Sequence, residues 1–250
     1  MALLELDQVT KRFGGLTAVR TLSFGVEEGE IRGLIGPNGA GKTTIFNVIS
    51  GFYRPTAGEI RYRGRPISGL KTSRIAEDGL VRTFQSTTLF HELTVFENML
   101  VGCHLRARSG LFAAIVGAGR TRRRAAEEHA LEVLDFIGLA QRRDEAAANL
   151  PHGLQKALGM AVALASGPKL LLLDEPFAGM NPEETRGMMR LVRKICEGGV
   201  TILLVEHDMQ AVMGLCDRIT VLNFGELLAE GSPQEIRAHP EVVRAYLGTA

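Results

Sequence analysis

Eight consecutive residues, Gly36-Pro37-Asn38-Gly39-Ala40-Gly41-Lys42-Thr43, constrain this chain more than any other segment. They fit the pattern G-x-x-x-x-G-K-[ST], and their flanks agree with it. Ile31 to Ile35 reads as a strand, and Lys42 to Ser50 carries Ile45, Phe46 and Ile49 at helical spacing. A strand, a glycine loop and a helix start in that order are the context the pattern requires. The glycines let backbone N–H groups close around a phosphate at the positive end of a helix. Lys42 is placed to reach the β and γ oxygens, and Thr43 offers its hydroxyl to a magnesium ion. A glycine-rich turn that binds nothing is the competing reading, and it must explain away eight positions together with both flanks.

A second segment extends the chemistry. Leu170 to Leu173 is a four-leucine strand ending in Asp174-Glu175, which puts two carboxylates where a parallel strand leaves its sheet, the usual ligand edge. Asp174 is expected to hold magnesium, mostly through water, and Glu175 to polarise an attacking water as general base. Alone, Glu175-Pro176 is an ordinary strand-to-turn corner. Beside a phosphate loop it points to hydrolysis of a nucleoside triphosphate, with Gly36 to Thr44 as the nucleotide-binding residues.

The rest of the chain supplies a matching α/β grammar. Leu3 to Val9 and Leu22 to Val26 suit strands about a Gly14-Gly15 turn, a small antiparallel β layer at the start. Arg61-Tyr62-Arg63 and Leu80 to Phe84 look like further strands. From about Thr94 to Ala148 the chain reads as helices, with Leu131, Leu134, Ile137 and Leu139 at helical intervals. Strands return at Leu170 to Leu173, Thr201 to Val205 and Ile219 to Leu222, separated by helix-sized segments. That alternation predicts a mostly parallel core sheet with helices on its faces.

Composition removes other classes. Against 29 basic residues stand 28 acidic ones, so no bulk field marks a nucleic-acid binder. Three cysteines, Cys103, Cys196 and Cys216, form no C-x-x-C pair, which argues against a disulfide framework or a zinc site and for a reducing compartment. Charge within the first five residues leaves no expected secretory signal. The longest run free of Asp, Glu, Lys and Arg is the 12 residues from Ala157 to Pro168, short of the ~20 apolar residues that span a bilayer.

GPNGAGKTT, Gln85 in VRTFQ, LLLLDEP and His207 in VEHD, in that order over almost the whole chain, resemble the ATP-binding subunit of an ABC transporter. More narrowly, GLTAVRTLSF, LTVFENMLVG, DEPFAGMNPEET and GSPQEIRAHPEVVRAYLG resemble the ATPase of branched-chain amino acid importers. The resemblance implies a single ABC ATPase domain: an ATP-binding core at 1–87 and 168–250, and a helical subdomain at 88–167. It implies ATP and Mg2+ as cofactors. It also assigns roles that spacing alone does not: Phe13 stacks on adenine, Gln85 joins the magnesium and water shell, and His207 contacts the γ-phosphate and orients the water. A core position for Phe13, a strand-end amide for Gln85 and a structural histidine are the plainer readings of those residues.

Such families carry a Leu-Ser-Gly-Gly-Gln signature loop that covers the nucleotide of the opposite subunit in a head-to-tail dimer. Here it reads Leu150-Pro151-His152-Gly153-Leu154. Leu150 and Gly153 match. Pro151 supplies neither hydroxyl nor N–H, so a donor is missing. Losing one preorganised donor costs roughly 100-fold to 1,000-fold in rate. The N–H groups of His152 and Gly153, at a helix start, remain for the anion. Asn181, where many relatives have aspartate, removes one charge from the dimer interface.

The implied partners are a second, distinct ABC ATPase subunit in preference to a homodimer, two transmembrane permease subunits and, indirectly, a periplasmic or extracellular binding protein, with no nucleic acid. The expected place is the cytoplasmic face of the inner (plasma) membrane, as a peripheral subunit. Leu89, Phe90, Leu93 and Phe96 are candidates for the permease groove, with core packing as the alternative, and Arg120 with Arg122 to Arg124 reads as a solvated helix face or a contact to permease or lipid. Two other functions compete: a non-transport ABC ATPase, and a mainly structural nucleotide-binding subunit. Long coiled coils or doubled ATPase units would mark the first, and this chain has neither; intact Lys42, Asp174, Glu175 and His207 weigh against the second.

Overall fold

The computed structural model describes residues 2–83, 89–107 and 119–247. Ten strands lie among them: β1 (Ala2–Phe13), β2 (Leu16–Glu27), β3 (Ile31–Ile35), β4 (Ala57–Tyr62), β5 (Arg65–Pro66), β6 (Leu80–Arg82), β7 (Leu170–Asp174), β8 (Thr201–Val205), β9 (Arg218–Asn223) and β10 (Glu226–Gly231). The chain packs as two compact units. One comprises Met1–Arg82, Lys169–Gly179 and Thr185–Ala250, the other Thr83–Pro168 and Met180–Glu184.

In the first unit, β1 and β2 form a hairpin that turns at Gly14 and Gly15 and continues through β4 to β5, in the order β2-β1-β4-β5. Both hairpin strands are longer than the apolar alternation suggested. Register shifts along β1 break the alternation while the ladder carries on. Arg63, expected in a strand, is instead a turn residue with φ of +51° just past β4, its N–H donating to Leu3 O. Gly64 follows it, and the pair makes the tight return into β5.

The second sheet has the order β10-β9-β3-β8-β7-β6. From β9 to β6 every pairing is parallel, whereas β10 runs antiparallel on the edge. Every residue of β3, β7 and β8 is buried. This is why β7 and β8 carry four-residue apolar runs, Leu170 to Leu173 and Ile202 to Val205: a parallel sheet is covered on both faces and has no solvent side to mark with polar residues. The exception is Arg32 in β3, 3% exposed and paired with Glu30 and Glu230. Leu34, Leu172, Leu203 and Leu222 of this sheet share one core with Phe46, Ile49 and the inward face of the hairpin.

The second unit is built on α3 (Val95–Ala107), α4 (Gly119–Ile137) and α5 (His152–Ala165). The preceding helices α1 (Lys42–Ile49) and α2 (Thr72–Glu77) belong to the first unit. Val95, Met99, Leu134, Leu158 and Ala161 make the core of the second unit. Gly102 lets α3 and α5 approach closely, since a Cβ there would meet Val162 O at 2.3 Å. Asn98 is 1% exposed and fixes the segment before α3: its Nδ2 donates to the carbonyls of Phe90, Leu93 and Thr94, and its Oδ1 accepts from Phe90 N–H. Leu89 belongs to this core, Phe96 packs against it, and Phe90 is exposed. Arg123 and Arg124 pair with Glu127 and Glu128 one turn on, as a solvated helix face does.

Candidate functional site

β3 ends at Ile35 and the chain enters a loop that only glycine permits. Gly36 has φ of +156°, and a Cβ on it would lie 2.3 Å from Leu222 O. Gly41 has φ of +100° and would drive a Cβ to 2.6 Å from Ala18 O. Gly41 is also the N-cap of α1, and no side chain caps it. The first-turn N–H groups of Lys42, Thr43 and Thr44 therefore have no intrahelical acceptor and face the loop as an anion cradle. Lys42 is 6% exposed, and its Nζ folds back to donate to Gly36 O at 2.7 Å and Pro37 O at 3.0 Å. Burial pushes its ammonium below the ordinary value, against the raising influence of Glu175.

The cradle opens on a cavity of about 600 Å³. Asn38 to Thr44 form one wall, Leu16 to Ala18 and Phe224 another, and Glu175 and His207 the third. Those last two come from neighbouring strands. Asp174 pairs with Val205 in the β7–β8 ladder, so the residues that follow emerge side by side. The Nε2 of His207 lies 2.9 Å from Glu175 Oε1. Glu175 itself has φ of +49°, a left-handed position that costs a non-glycine residue about 1–2 kcal/mol. Held strain of this kind is found where a side chain has been aimed.

Asp174 is 9% exposed, and its Oδ2 accepts from Arg82 Nη2 at 2.7 Å; Arg82 Nη1 donates to Asn47 Oδ1 on α1 at 2.6 Å. Sequence reasoning quoted VRTFQ for its glutamine and passed over this arginine. Gln85 lies outside the described residues. Thr43 is exposed and lines the cavity. A threonine hydroxyl and an aspartate together suit magnesium, a hard cation that keeps several waters and takes its remaining ligands from phosphate.

Phe13 is not a core residue: it is 40% exposed, stands edge-on to Tyr53 with ring centroids 5.2 Å apart, and has Lys11 Nζ 4.9 Å above its ring. Phe224 was also missed. It is 85% exposed in the β9–β10 turn, with φ of +46°, and lines the cavity. Its signal was the Phe224-Gly225 step after an apolar strand, a hairpin turn for which the following β10 is too short and mixed to be legible.

In the helical unit, Leu150 is buried, Pro151 and His152 are exposed, and Gly153 and Leu154 are half-buried. Pro151 is the N-cap of α5, with φ of −52° and no side-chain cap. Asn181 opens α6 (Pro182–Glu197): its Oδ1 accepts from the N–H groups of Glu183 and Glu184, while its own N–H donates to Glu184 Oε2. Asparagine here closes a capping box.

A phosphate cradle at the head of a parallel strand, with a carboxylate and a histidine brought up from the next strands, defines a phosphate-loop nucleotide-binding protein. Residues 19–178 match the ABC transporter family, and residues 226–250 match the branched-chain amino acid ATP-binding cassette transporter family. The high-affinity branched-chain amino acid transport ATP-binding protein LivG of Salmonella typhimurium is 47% identical over 251 residues, covering 99% of this chain and 98% of its own. The corresponding BraF of Pseudomonas aeruginosa is 45% identical over the same share of both. Among solved structures, an ATP-binding cassette of an ABC transporter in its ADP conformation superposes with a TM-score of 0.89 at 30% identity over the whole of both chains. The chain belongs to the ABC transporter family, as an ATPase cassette.

Proposed function

We propose that this chain is the ATP-hydrolysing subunit of an importer for branched-chain or related amino acids, acting on a permease pair at the cytoplasmic face of the plasma membrane. The observation that carries the reading is the Glu175–His207 pair at 2.9 Å, facing the Lys42 cradle across one cavity. The names of the relatives and the C-terminal match at 226–250 support the substrate class. No helix among the described residues is long and apolar enough to cross a membrane, so the path for the amino acid is assigned to partner subunits.

In this reading Gly36 to Thr44 bind the triphosphate, and Phe13 stacks on adenine. Thr43, Gln85 and Asp174 would hold Mg2+, which when bound would supply neutralisation of the triphosphate charge. Lys42 leaves the Gly36 and Pro37 carbonyls for the phosphate, and Asp174 shares its carboxylate with Arg82. Glu175 takes the proton of the attacking water, and His207 keeps that carboxylate and the γ-phosphate in register. Leu150 to Leu154 serve the opposite nucleotide in a head-to-tail dimer. A dimeric structure of a bacterial ABC transporter cassette, 26% identical with a TM-score of 0.76, supports that assembly. Because Pro151 lacks a donor, the two composite sites of a dimer with a second, different cassette are unequal. A binding protein outside the membrane selects the amino acid.

The test is ATP turnover by this chain alone and mixed with its partner cassette, with Lys42→Ala in one chain at a time. Turnover that needs the mixture and dies mainly with this chain's Lys42 supports the unequal heterodimer. Full turnover by this chain alone sinks it in favour of a homodimer, and no turnover in either case removes the hydrolytic reading.

A further inference from the structure

Glu206 immediately precedes His207 and is 4% exposed. Its Oε1 accepts from Phe177 N–H at 2.7 Å, and its Oε2 from His207 N–H at 3.0 Å and Asp208 N–H at 3.5 Å. One carboxylate thus joins the turn after β7, which carries Glu175, to the turn after β8, which carries His207. The β7–β8 ladder itself runs out at the bond from Glu175 N–H to Val205 O. Beyond it, Glu175 sits at its left-handed φ of +49° and the chain bends away through Pro176.

We propose that Glu206 is a positioning residue for hydrolysis: it clamps the two turns together and thereby sets the separation of Glu175 from His207. A carboxylate suits this post because both of its oxygens accept and neither donates. Hydrogen bonds from N–H groups to a charged acceptor are also the stronger kind, which is what holding a strained turn requires. Glutamine has the same length and shape, yet it would turn an NH2 toward N–H groups on one side. Aspartate keeps the charge but is one methylene short of Phe177. Misplacing a reacting pair by about 1 Å is enough to cost ~100-fold.

The inference rests on Glu175 and His207 being the hydrolytic pair, so the wild-type assembly is the control for that reading. Glu206→Gln and Glu206→Asp are compared with wild type in the assembled transporter for kcat and KM, and in the isolated subunit for nucleotide affinity and amide hydrogen exchange. The expected result is kcat lowered about 30-fold in both variants, with KM and nucleotide affinity within about two-fold. Exchange at the Phe177 and His207 amides should quicken together in the glutamine variant, and at Phe177 in the aspartate variant. Two kinetic outcomes overturn the proposal: kcat within two-fold of wild type in either variant, or a fall in kcat matched by an equal loss of nucleotide affinity. Unchanged exchange at Phe177 overturns it regardless of turnover. A wild-type assembly that hydrolyses nothing refutes the parent reading instead, and is recognised before any variant is measured.

Discussion

Arg82 and Asp174 form an ion pair across adjacent parallel strands, Nη2 to Oδ2 at 2.7 Å, with only 7% and 9% of their side chains exposed. The same guanidinium reaches Asn47 on α1. The strand that ends next to Glu175 is thereby tied to the helix that follows the glycine loop. Removing one partner of a buried pair costs about 3–5 kcal/mol, because the other charge is left in a medium that solvates it poorly. Arg82→Met should lower unfolding free energy by about that amount in urea titration. Adding Asp174→Leu should recover much of the loss, since the orphaned charge goes with it. A single variant as stable as wild type would show the pair to be solvated after all.

Glu175→Gln removes the proposed base while keeping its volume and one side-chain oxygen. Nucleotide binding should hold within a few-fold and hydrolysis should fall roughly 100-fold to 1,000-fold, leaving ATP-bound dimers to accumulate on gel filtration. Unchanged turnover would remove Glu175 from its role.

Pro151→Ser separates two effects at the start of α5. A serine N-cap stabilises a helix by about 1 kcal/mol, while loss of the proline ring frees the unfolded chain by about 0.4–1 kcal/mol. Melting temperature should therefore barely move. Hydrolysis at the partner's nucleotide, read with the partner site alone intact, should rise by a factor of ten or more as the missing donor returns. No rise would show that the backbone N–H groups of His152 and Gly153 already suffice.

Tyr62 of β4 is 2% exposed, and its hydroxyl has no hydrogen-bond partner among the described residues. Burial pushes the phenol up from 10.0 to about 12. An unfolded phenol loses its proton near pH 10 while the folded one keeps it, so stability should fall as pH rises from 10 to 12. Tyr62→Phe should abolish that alkaline loss and, at neutral pH, match or exceed wild type by about 1 kcal/mol in thermal or denaturant unfolding.

Much of this architecture was legible because the informative residues are contiguous. Gly36 to Thr43 declare a loop between strand and helix, and the apolar runs of β7 and β8 declare a covered parallel sheet. Illegible were elements defined by pairing. β10 is a short mixed strand that exists because β9 offers it an edge. The true lengths of β1 and β2 follow from a ladder that tolerates bulges where alternation fails. Leu89 reads as surface or core equally well in sequence, and the packing of α3 to α5 puts it inside.

The sequence by itself determined the chemistry on offer: a phosphate loop, a strand-end carboxylate pair and a histidine, each recognisable from near neighbours. The tertiary structure alone decided which of them meet. Glu175 and His207 are 32 positions apart, Arg82 and Asp174 are 92, and Phe177 and Glu206 are 29. No local periodicity encodes those distances. They follow from the parallel register that sets Asp174 opposite Val205 and Arg82 opposite Leu172, so that separate strands deliver their last residues to one edge of the sheet.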